Sequence, residues 1–182
     1  VPAEADIDLD SLWPGMENAV NEALDHLVAM RRTEGENISR DVAARIGRIA
    51  RTLLGTEPVK ADILLHGSFA KTYKGHGTDK ALIAGIMGME TDDPRIRLAP
   101  ELAREQGLEV NITTGDIDGA HPNTAKVTLT DASGKTVSLL GSSIGGGNIL
   151  VKEVNGMEVS ITGQHTTLIV LHRDAPGTIA AV

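Results

Sequence analysis

One short segment of the sequence, HGSFAKTYKGHGTDKA from residue 66 to residue 81, concentrates groups that could do chemistry. Its sixteen residues include two His, three Lys, one Asp and three Gly. Imidazoles exchange protons near neutral pH, ammonium groups attract carboxylates or phosphates, and glycine lets the backbone approach a ligand closely. A small-anion site and an ordinary polar surface loop both explain this composition. The candidate ligand-binding residues are His66, Ser68, Lys71, Lys74, His76, Thr78, Asp79 and Lys80.

The last residues of this segment predict the start of a helix, with Thr78 as its N-cap. The free N–H groups of a helix N-terminus attract anions, which favours the small-anion interpretation. The glycine spacing is not that of a phosphate-binding P-loop. A triad of Ser68, His76 and Asp79 lacks the Gly-x-Ser-x-Gly turn that would expose a nucleophile, so we expect no catalytic residues here.

Two later segments are further candidates, and each also has a purely structural interpretation. HPNT offers His121 and Asn123 to a small polar ligand, although a turn with a surface His fits equally. GSSIGGGNI places three glycines and an amide between strands, where they could form an anion-binding nest of N–H groups or a flexible hairpin. No tight His spacing is present, so we expect no metal site. The candidates in the second segment are Gly145, Gly146, Gly147 and Asn148.

The composition excludes several classes of protein. The chain has 182 residues, a formal charge of −8 and only 2% aromatic residues, which disfavours binding to nucleic acid. No apolar run is long enough to cross a membrane. The absence of Cys excludes disulfides, iron–sulfur ligation and cysteine nucleophiles in these residues, and it is typical of a cytoplasmic protein.

The periodicity of apolar residues predicts helices first and strands later. A first helix, capped by Asp10 or Ser11, is expected to break or kink at Gly35, and a second is expected from about Ile38 to a stop at Gly55. A short helix is also expected from Thr78, and after a loop a further helix is expected to end at Gly107. Strands are expected in VKADILLHG, LEVNITTGD, NTAKVTLTD, KTVSLLGSS, NILVKEVN, MEVSITG and TTLIVLHRD, before a helix start at APGTIAAV. The fold class is therefore α+β, with a mixed, largely antiparallel sheet.

Five segments in order resemble the β chain of bacterial iron–sulfur-dependent L-serine dehydratase, over about residues 43–182. The resemblance implies an allosteric substrate-binding type of domain over 43–163 and the start of an ACT domain over 164–182, with Asp174 and Gly177 near the ACT ligand site. It also implies L-serine as ligand, bound by the residues named above, and a partner α chain that carries a [4Fe–4S] cluster and converts serine to pyruvate and ammonia. No cofactor is expected on this chain. The segments are AARIGRIARTLLG, LHGSFAKTYKGHGTDKALIAGIMGM, HPNTAKVTL, GSSIGGGNILV and LIVLHRDAPGTIAAV.

Two departures limit what the resemblance implies. The family carries a Gly-Pro-Ser-Ser-Ser-His-Thr segment before the first matching segment, whereas this chain has ENISRDV. The N-terminal helical segment 1–42 lies outside the likeness, and residues 1–47 resemble a fragment of the YicC endoribonuclease family instead. We therefore interpret the chain as a chimera of two families. Because the Ser-rich segment is missing, we expect it to be inactive alone.

Two functional hypotheses remain open. The first is a non-catalytic serine dehydratase β-type domain that binds serine, docks the α chain, or does both. The second is a chimeric or designed binding module for an unrelated protein, with an adhesive strand at TTLIVLH. An exposed ACT-type strand favours self-association, so a homodimer is a further expectation. The charge of −8 disfavours an RNA-processing role.

Overall fold

The computed structural model describes residues 9–170. The helices are α1 (Leu9–Leu54), α2 (Gly67–His76), α3 (Thr78–Ile86) and α4 (Ala99–Glu105), with a 3₁₀ helix at Pro94–Leu98. The strands are β1 (Pro58–His66), β2 (Glu109–Thr114), β3 (Asn123–Asp131), β4 (Thr136–Ser143), β5 (Ile149–Val154) and β6 (Met157–Ile161). None of the helices within residues 9–170 combines the length and apolar character that a membrane-spanning helix needs.

The six strands form one sheet in the order β2-β1-β3-β4-β5-β6. β1 and β2 are parallel because α2, α3 and α4 carry the chain across between them, and every other neighbouring pair is antiparallel. This confirms the predicted α+β class with a mixed, largely antiparallel sheet. The register aligns one residue from each of four strands in a single row. The row lies where β1 and β4 end and where β3 and β5 begin, and its residues are His66, Thr124, Ser142 and Leu150.

A single layer of helices covers one face of the sheet. In β1 the buried side chains alternate with partly exposed ones, as expected for a strand with one covered face. Ala61, Ile63 and Leu65 lie against the helices, and the other face of the sheet carries no helix of the described chain. The C-terminal part of α1 supplies Ile46, Ala50 and Leu54 to this core, as their helical spacing predicts.

Two glycines allow α1 and α3 to pack with their backbones in contact. A Cβ added to Gly85 of α3 would lie 1.9 Å from the carbonyl oxygen of Ala44 in α1. A Cβ added to Gly47 of α1 would lie 2.4 Å from the carbonyl oxygen of Leu82 in α3. Any side chain at either position would therefore push the two helices apart.

The predicted break at Gly35 is wrong, because α1 is one helix of 46 residues. A single glycine costs a helix only about 1 kcal/mol relative to alanine, which is not enough to end it. Asp10 and Ser11, the predicted caps, lie inside this helix. Every residue from 10 to 35 is exposed, so this half of α1 extends away from the sheet domain as an arm.

Three further expectations differ from the structure. The loop expected after residue 66 is largely the helix α2, which no apolar periodicity had indicated. The N-cap of α3 is Gly77, with φ of 70°, and Thr78 is already the first helical residue. The described part of TTLIVLHRD, residues 166–170, pairs with no strand and is irregular. Asp174 and Gly177 lie outside the described residues.

Asp131 joins the end of α1 to the turn between β3 and β4. Its Oδ1 accepts hydrogen bonds from the N–H and hydroxyl of Ser133 and from the N–H of Lys135. Its Oδ2 accepts a bond of 2.7 Å from the Thr56 hydroxyl. The Lys135 ammonium in turn donates to the Leu54 carbonyl at the end of α1. Bonds from Ser133 and Thr56 lower the pKa of Asp131 to about 2.

Asp131→Asn is expected to lower the melting temperature by several degrees at pH 7. The side-chain amide of Asn would place an N–H group where the carboxylate now accepts hydrogen bonds from Ser133, Lys135 and Thr56. The native pKa of about 2 lies below the ordinary value of 3.8, so the carboxylate stabilises the fold fully above pH 4 and loses that effect between about pH 4 and pH 2. Thermal unfolding of both proteins from pH 7 to pH 3 tests this. The gap should shrink toward pH 3, and a constant gap would contradict it. The exposed Asp92→Asn is the control.

Candidate functional site

The chain turns sharply at the end of β1 and presses against the segment before β3. Gly67 has φ of 60°, a conformation that favours glycine. The N–H of Ser68 donates a short hydrogen bond of 2.6 Å to the carbonyl of Pro122. Gly67 also pairs with Asn123 through an isolated β-bridge. The structure therefore brings His66 and Ser68 next to the predicted candidates His121 and Asn123.

Two imidazoles at this turn are oriented by backbone amides. The Nδ1 of His66 accepts a hydrogen bond of 3.0 Å from the N–H of Ile117. The Nδ1 of His121 accepts one of 3.2 Å from the N–H of Asn123. Because each Nδ1 acts as an acceptor, the hydrogen-bond pattern assigns the proton of each neutral ring to Nε2. Both rings can therefore donate a hydrogen bond from Nε2 to a bound anion.

A carboxylate lies beside the first of these rings. The Oδ1 of Asp116 is 3.7 Å from the Nδ1 of His66, too long for a hydrogen bond. The Asp116 side chain is fully exposed, so solvent screens this pair strongly. The carboxylate remains accessible for a positively charged group of a ligand.

Two buried hydroxyls, of Thr124 and Ser142, form a hydrogen-bond chain that ends at the backbone carbonyl of His121. The Thr124 hydroxyl donates to the carbonyl of His121 at 2.6 Å and lies 2.7 Å from the hydroxyl of Ser142. A hydroxyl has one proton, so Ser142 donates to Thr124. Sequence reasoning did not select Thr124 or Ser142, since their meeting depends on the pairing of β3 with β4. The available indication was the occurrence of both residues within segments already singled out.

The glycine-rich loop lies at the same edge of the sheet. Gly145, Gly146 and Gly147 all have positive φ, at 95°, 59° and 77°. The N–H and the side-chain amide of Asn148 both donate to the carbonyl of Gly145, at 3.0 and 3.1 Å. This loop connects β4 to β5, two strand spacings from β1, or about 10 Å. The Asn148 amide is therefore used to close the loop.

The other predicted residues lie at the far end of α2. This helix of ten residues is about 15 Å long, which separates its C-terminal end from His66. The Nε2 of His76 is 3.7 Å from a carboxylate oxygen of Glu36 in α1. Asp79 accepts a hydrogen bond from the N–H of Lys80. The structure thus divides the original sixteen-residue segment between two places.

The remaining candidates on this segment do not converge on a ligand position. Lys71, Lys74 and Lys80 are exposed, and the ammonium of Lys74 lies 5.8 Å from the ring centre of Tyr73. The hydroxyl of Thr78 is buried and has no hydrogen-bond partner among the described residues. Within residues 9–170 no three His, Asp or Glu side chains gather closely enough to hold a metal ion.

A separate cavity of about 900 Å³ lies between α1 and the β5–β6 edge of the sheet. Its lining is largely apolar, with the side chains of Arg45 and Arg48 at its border. Gly147 and Asn148 of the glycine-rich loop also line it. No sequence pattern had indicated this cavity, because it depends on which strands α1 covers.

Comparisons with known proteins agree on one family. A model of the family described as serine dehydratase beta chain matches residues 44–116. A probable L-serine dehydratase beta chain of Bacillus subtilis is 47% identical over 140 residues, and an L-serine dehydratase beta chain of Peptoniphilus asaccharolyticus is 38% identical over 141. Each match covers 77% of this chain, and the chain spans 63% and 64% of the two relatives. Through its sheet domain, this chain belongs to the serine dehydratase β-chain family.

Proposed function

We propose that this chain is a non-catalytic β-type component of an L-serine dehydratase that binds L-serine at the edge formed by the ends of β1, β3 and β4. The observation that carries the proposal is the pair of imidazoles at His66 and His121. Each ring is held by a backbone amide and offers an Nε2–H donor on adjacent segments of the chain. The names of the two relatives support serine as the ligand.

The groups at this edge match two of the three polar parts of serine, its carboxylate and its ammonium group. The Nε2–H donors suit the carboxylate, together with the N–H groups of the first turn of α2 other than that of Ser68, which donates to Pro122. The exposed carboxylate of Asp116 suits the ammonium group. The loop Gly145–Asn148 would close one side of the site, and the residues at the far end of α2 would take no direct part.

The residues of this chain do not fit an iron–sulfur cluster. Such clusters are held by cysteine thiolates, and the sequence has no Cys. We therefore assign any [4Fe–4S] cluster of the assembly to a partner α chain. The uncovered face of the sheet is the proposed docking surface, since its side chains Asp62, Lys126 and Thr128 are partly exposed.

The proposal keeps the three-part division of the chain at residues 1–42, 43–163 and 164–182. The last part would begin an ACT domain, with Asp174 and Gly177 near its own ligand site. A cytoplasmic location fits an assembly that depends on reduced thiolates in its partner.

Calorimetric titration of the full chain with L-serine, with D-serine as the comparison, tests the binding proposal. We expect binding selective for L-serine and a loss of at least about tenfold in affinity for His121→Ala, because a hydrogen bond to a charged group disappears. His165→Ala is the matched control and should bind normally. Absence of heat at millimolar L-serine, with circular dichroism showing a folded protein, would refute serine binding.

The docking proposal has its own test. Mixing the chain with a purified α chain of the family, with its cluster intact, should give a 1:1 complex in size-exclusion chromatography. Lys126 pairs with Glu153 on the uncovered face at 3.0 Å. Lys126→Glu should weaken the complex, because it reverses a charge on this face and places two carboxylates side by side. We expect little serine turnover in the complex, since the Ser-rich segment is absent. Separate elution of the two chains would contradict docking.

A further inference from the structure

The exposed arm of α1, residues 10–35, carries an apolar seam with the spacing of a coiled coil. Six residues are separated alternately by three and four positions, so they fall on one side of the helix as a and d positions of a heptad repeat. The large side chains among them are 45–65% exposed. The family model begins at residue 44, so the arm lies outside the region that it matches. The seam residues are Trp13, Met16, Val20, Ala23, Leu27 and Met30.

We propose that this seam pairs with the same seam of a second copy of the chain, forming an antiparallel two-helix coil. In an antiparallel pair each a residue packs against a d residue of the other helix. If residue i faces residue 43 − i, all six positions are matched with no gap. The resulting layers are Trp13 with Met30, Met16 with Leu27, and Val20 with Ala23, and twofold symmetry generates each layer twice.

The flanking residues favour the antiparallel arrangement over the parallel one. In the antiparallel pair, the e positions of the two helices face each other across the seam. Helical side chains lean toward their own N-terminus, so Glu17 and Arg31 of the second helix point toward one another. By the same lean, Leu24 points toward Leu24 of the other copy across the symmetry axis, which passes between residues 21 and 22. Both of these e-position contacts are complementary, one by charge and one by apolar character.

The parallel arrangement lacks the charge complementarity. There the g position of one helix faces the next e position of the other. This would place Leu12 beside Glu17, Ala19 beside Leu24 and His26 beside Arg31. The Ala19–Leu24 contact is apolar, but neither Glu17 nor Arg31 meets an opposite charge. The charges of Glu17 and Arg31 therefore favour an antiparallel partner of the same sequence.

The length of the arm also suits this partner. With residue i facing residue 43 − i, the first residue of the described helix, Leu9, comes opposite Glu34. The side chains of α1 begin to pack on the sheet domain at Ile38. The two helices therefore overlap only along their arms, and the two described sheet domains lie beyond opposite ends of the coil. Each serine edge would remain on its own domain, so the pairing is independent of serine binding.

Sedimentation equilibrium of the full chain tests the pairing, together with the emission of Trp13, the single Trp of the sequence. We expect a concentration-dependent monomer–dimer equilibrium and a blue shift of the emission on dimer formation. Leu27→Asp should abolish both effects and leave the sheet domain folded, since Leu27 is exposed and lies outside the core. A wild type that stays monomeric up to about 100 µM, with the emission of an exposed Trp, would overturn the proposal.

A charge exchange tests the antiparallel direction. Glu17→Arg and Arg31→Glu should each weaken the dimer by about tenfold, and the double variant should recover most of the wild-type affinity. Glu22→Arg and Arg32→Glu are the matched controls, because these residues lie on the outer side of the arm at heptad positions c and f. Failure of the double variant to recover, with both single variants weakened, would exclude the antiparallel pairing.

Discussion

Gly85→Ala is expected to destabilise the protein by about 3 kcal/mol or more, a loss of roughly 6–12 °C in melting temperature. The new Cβ would lie 1.9 Å from the carbonyl oxygen of Ala44 and 2.8 Å from its carbonyl carbon. Both atoms belong to the backbone of a helix buried in the core, so neither can rotate away. The helices α1 and α3 would have to separate along their whole contact, which would open a gap above the sheet.

The control for this prediction is Gly75→Ala. Gly75 is also a helical glycine, but a Cβ there would have no atom within 4 Å. Alanine is the better helix former, so this variant should be as stable as the wild type or more stable by up to about 1 kcal/mol. Urea unfolding followed by circular dichroism compares the two. Equal stability of the two variants would show that α1 and α3 are not in backbone contact.

Gly67→Ala is expected to have the second largest effect, acting on the candidate site as well as on stability. Gly67 has φ of 60°, and holding alanine in that region costs about 1–2 kcal/mol. A Cβ would also lie 2.5 Å from the carbonyl oxygen of Pro122. The same carbonyl accepts the 2.6 Å bond from Ser68, so relieving the clash would break that bond and separate His66 from His121.

A second glycine separates these two causes. Gly107 has φ of 76°, and a Cβ there would meet nothing within 4 Å, so Gly107→Ala measures the backbone strain alone. Gly67→Ala should lose clearly more stability than Gly107→Ala and should also lose L-serine binding. The same loss in both variants, with serine binding retained in Gly67→Ala, would show that the turn against Pro122 does not shape the site.

Local patterns were sufficient to predict most of the fold. The strands and their hairpin turns follow from alternating side chains and from glycine and asparagine at the turns. Asn155 and Gly156 both have positive φ between β5 and β6, as an Asn-Gly turn requires. Gly35 does not break the helix as predicted, because the cost of one glycine, about 1 kcal/mol, is small against 46 residues of continuous helix.

The candidate site was less accessible from the sequence than the fold. His66 and His121 are 55 positions apart, and only the pairing of β1 with β3 brings their segments together. The role of Ser142 depends on a further pairing, of β3 with β4. By contrast, His76, which is only ten positions from His66, is carried away by α2. Proximity along the chain was a poor guide because the intervening residues form a helix rather than a loop.

The continuity of α1 also sets the direction in which the arm faces. One residue of an α-helix corresponds to a rotation of 100° and a rise of 1.5 Å. Inserting a single residue next to Gly35 would therefore turn the whole seam through 100° about the helix axis without altering any contact in the core. Inserting seven residues would return it to within about 20° of its original direction and lengthen the arm by about 10 Å. The angle between two sheet domains joined through their arms is thus determined by a residue count, and it can be varied stepwise.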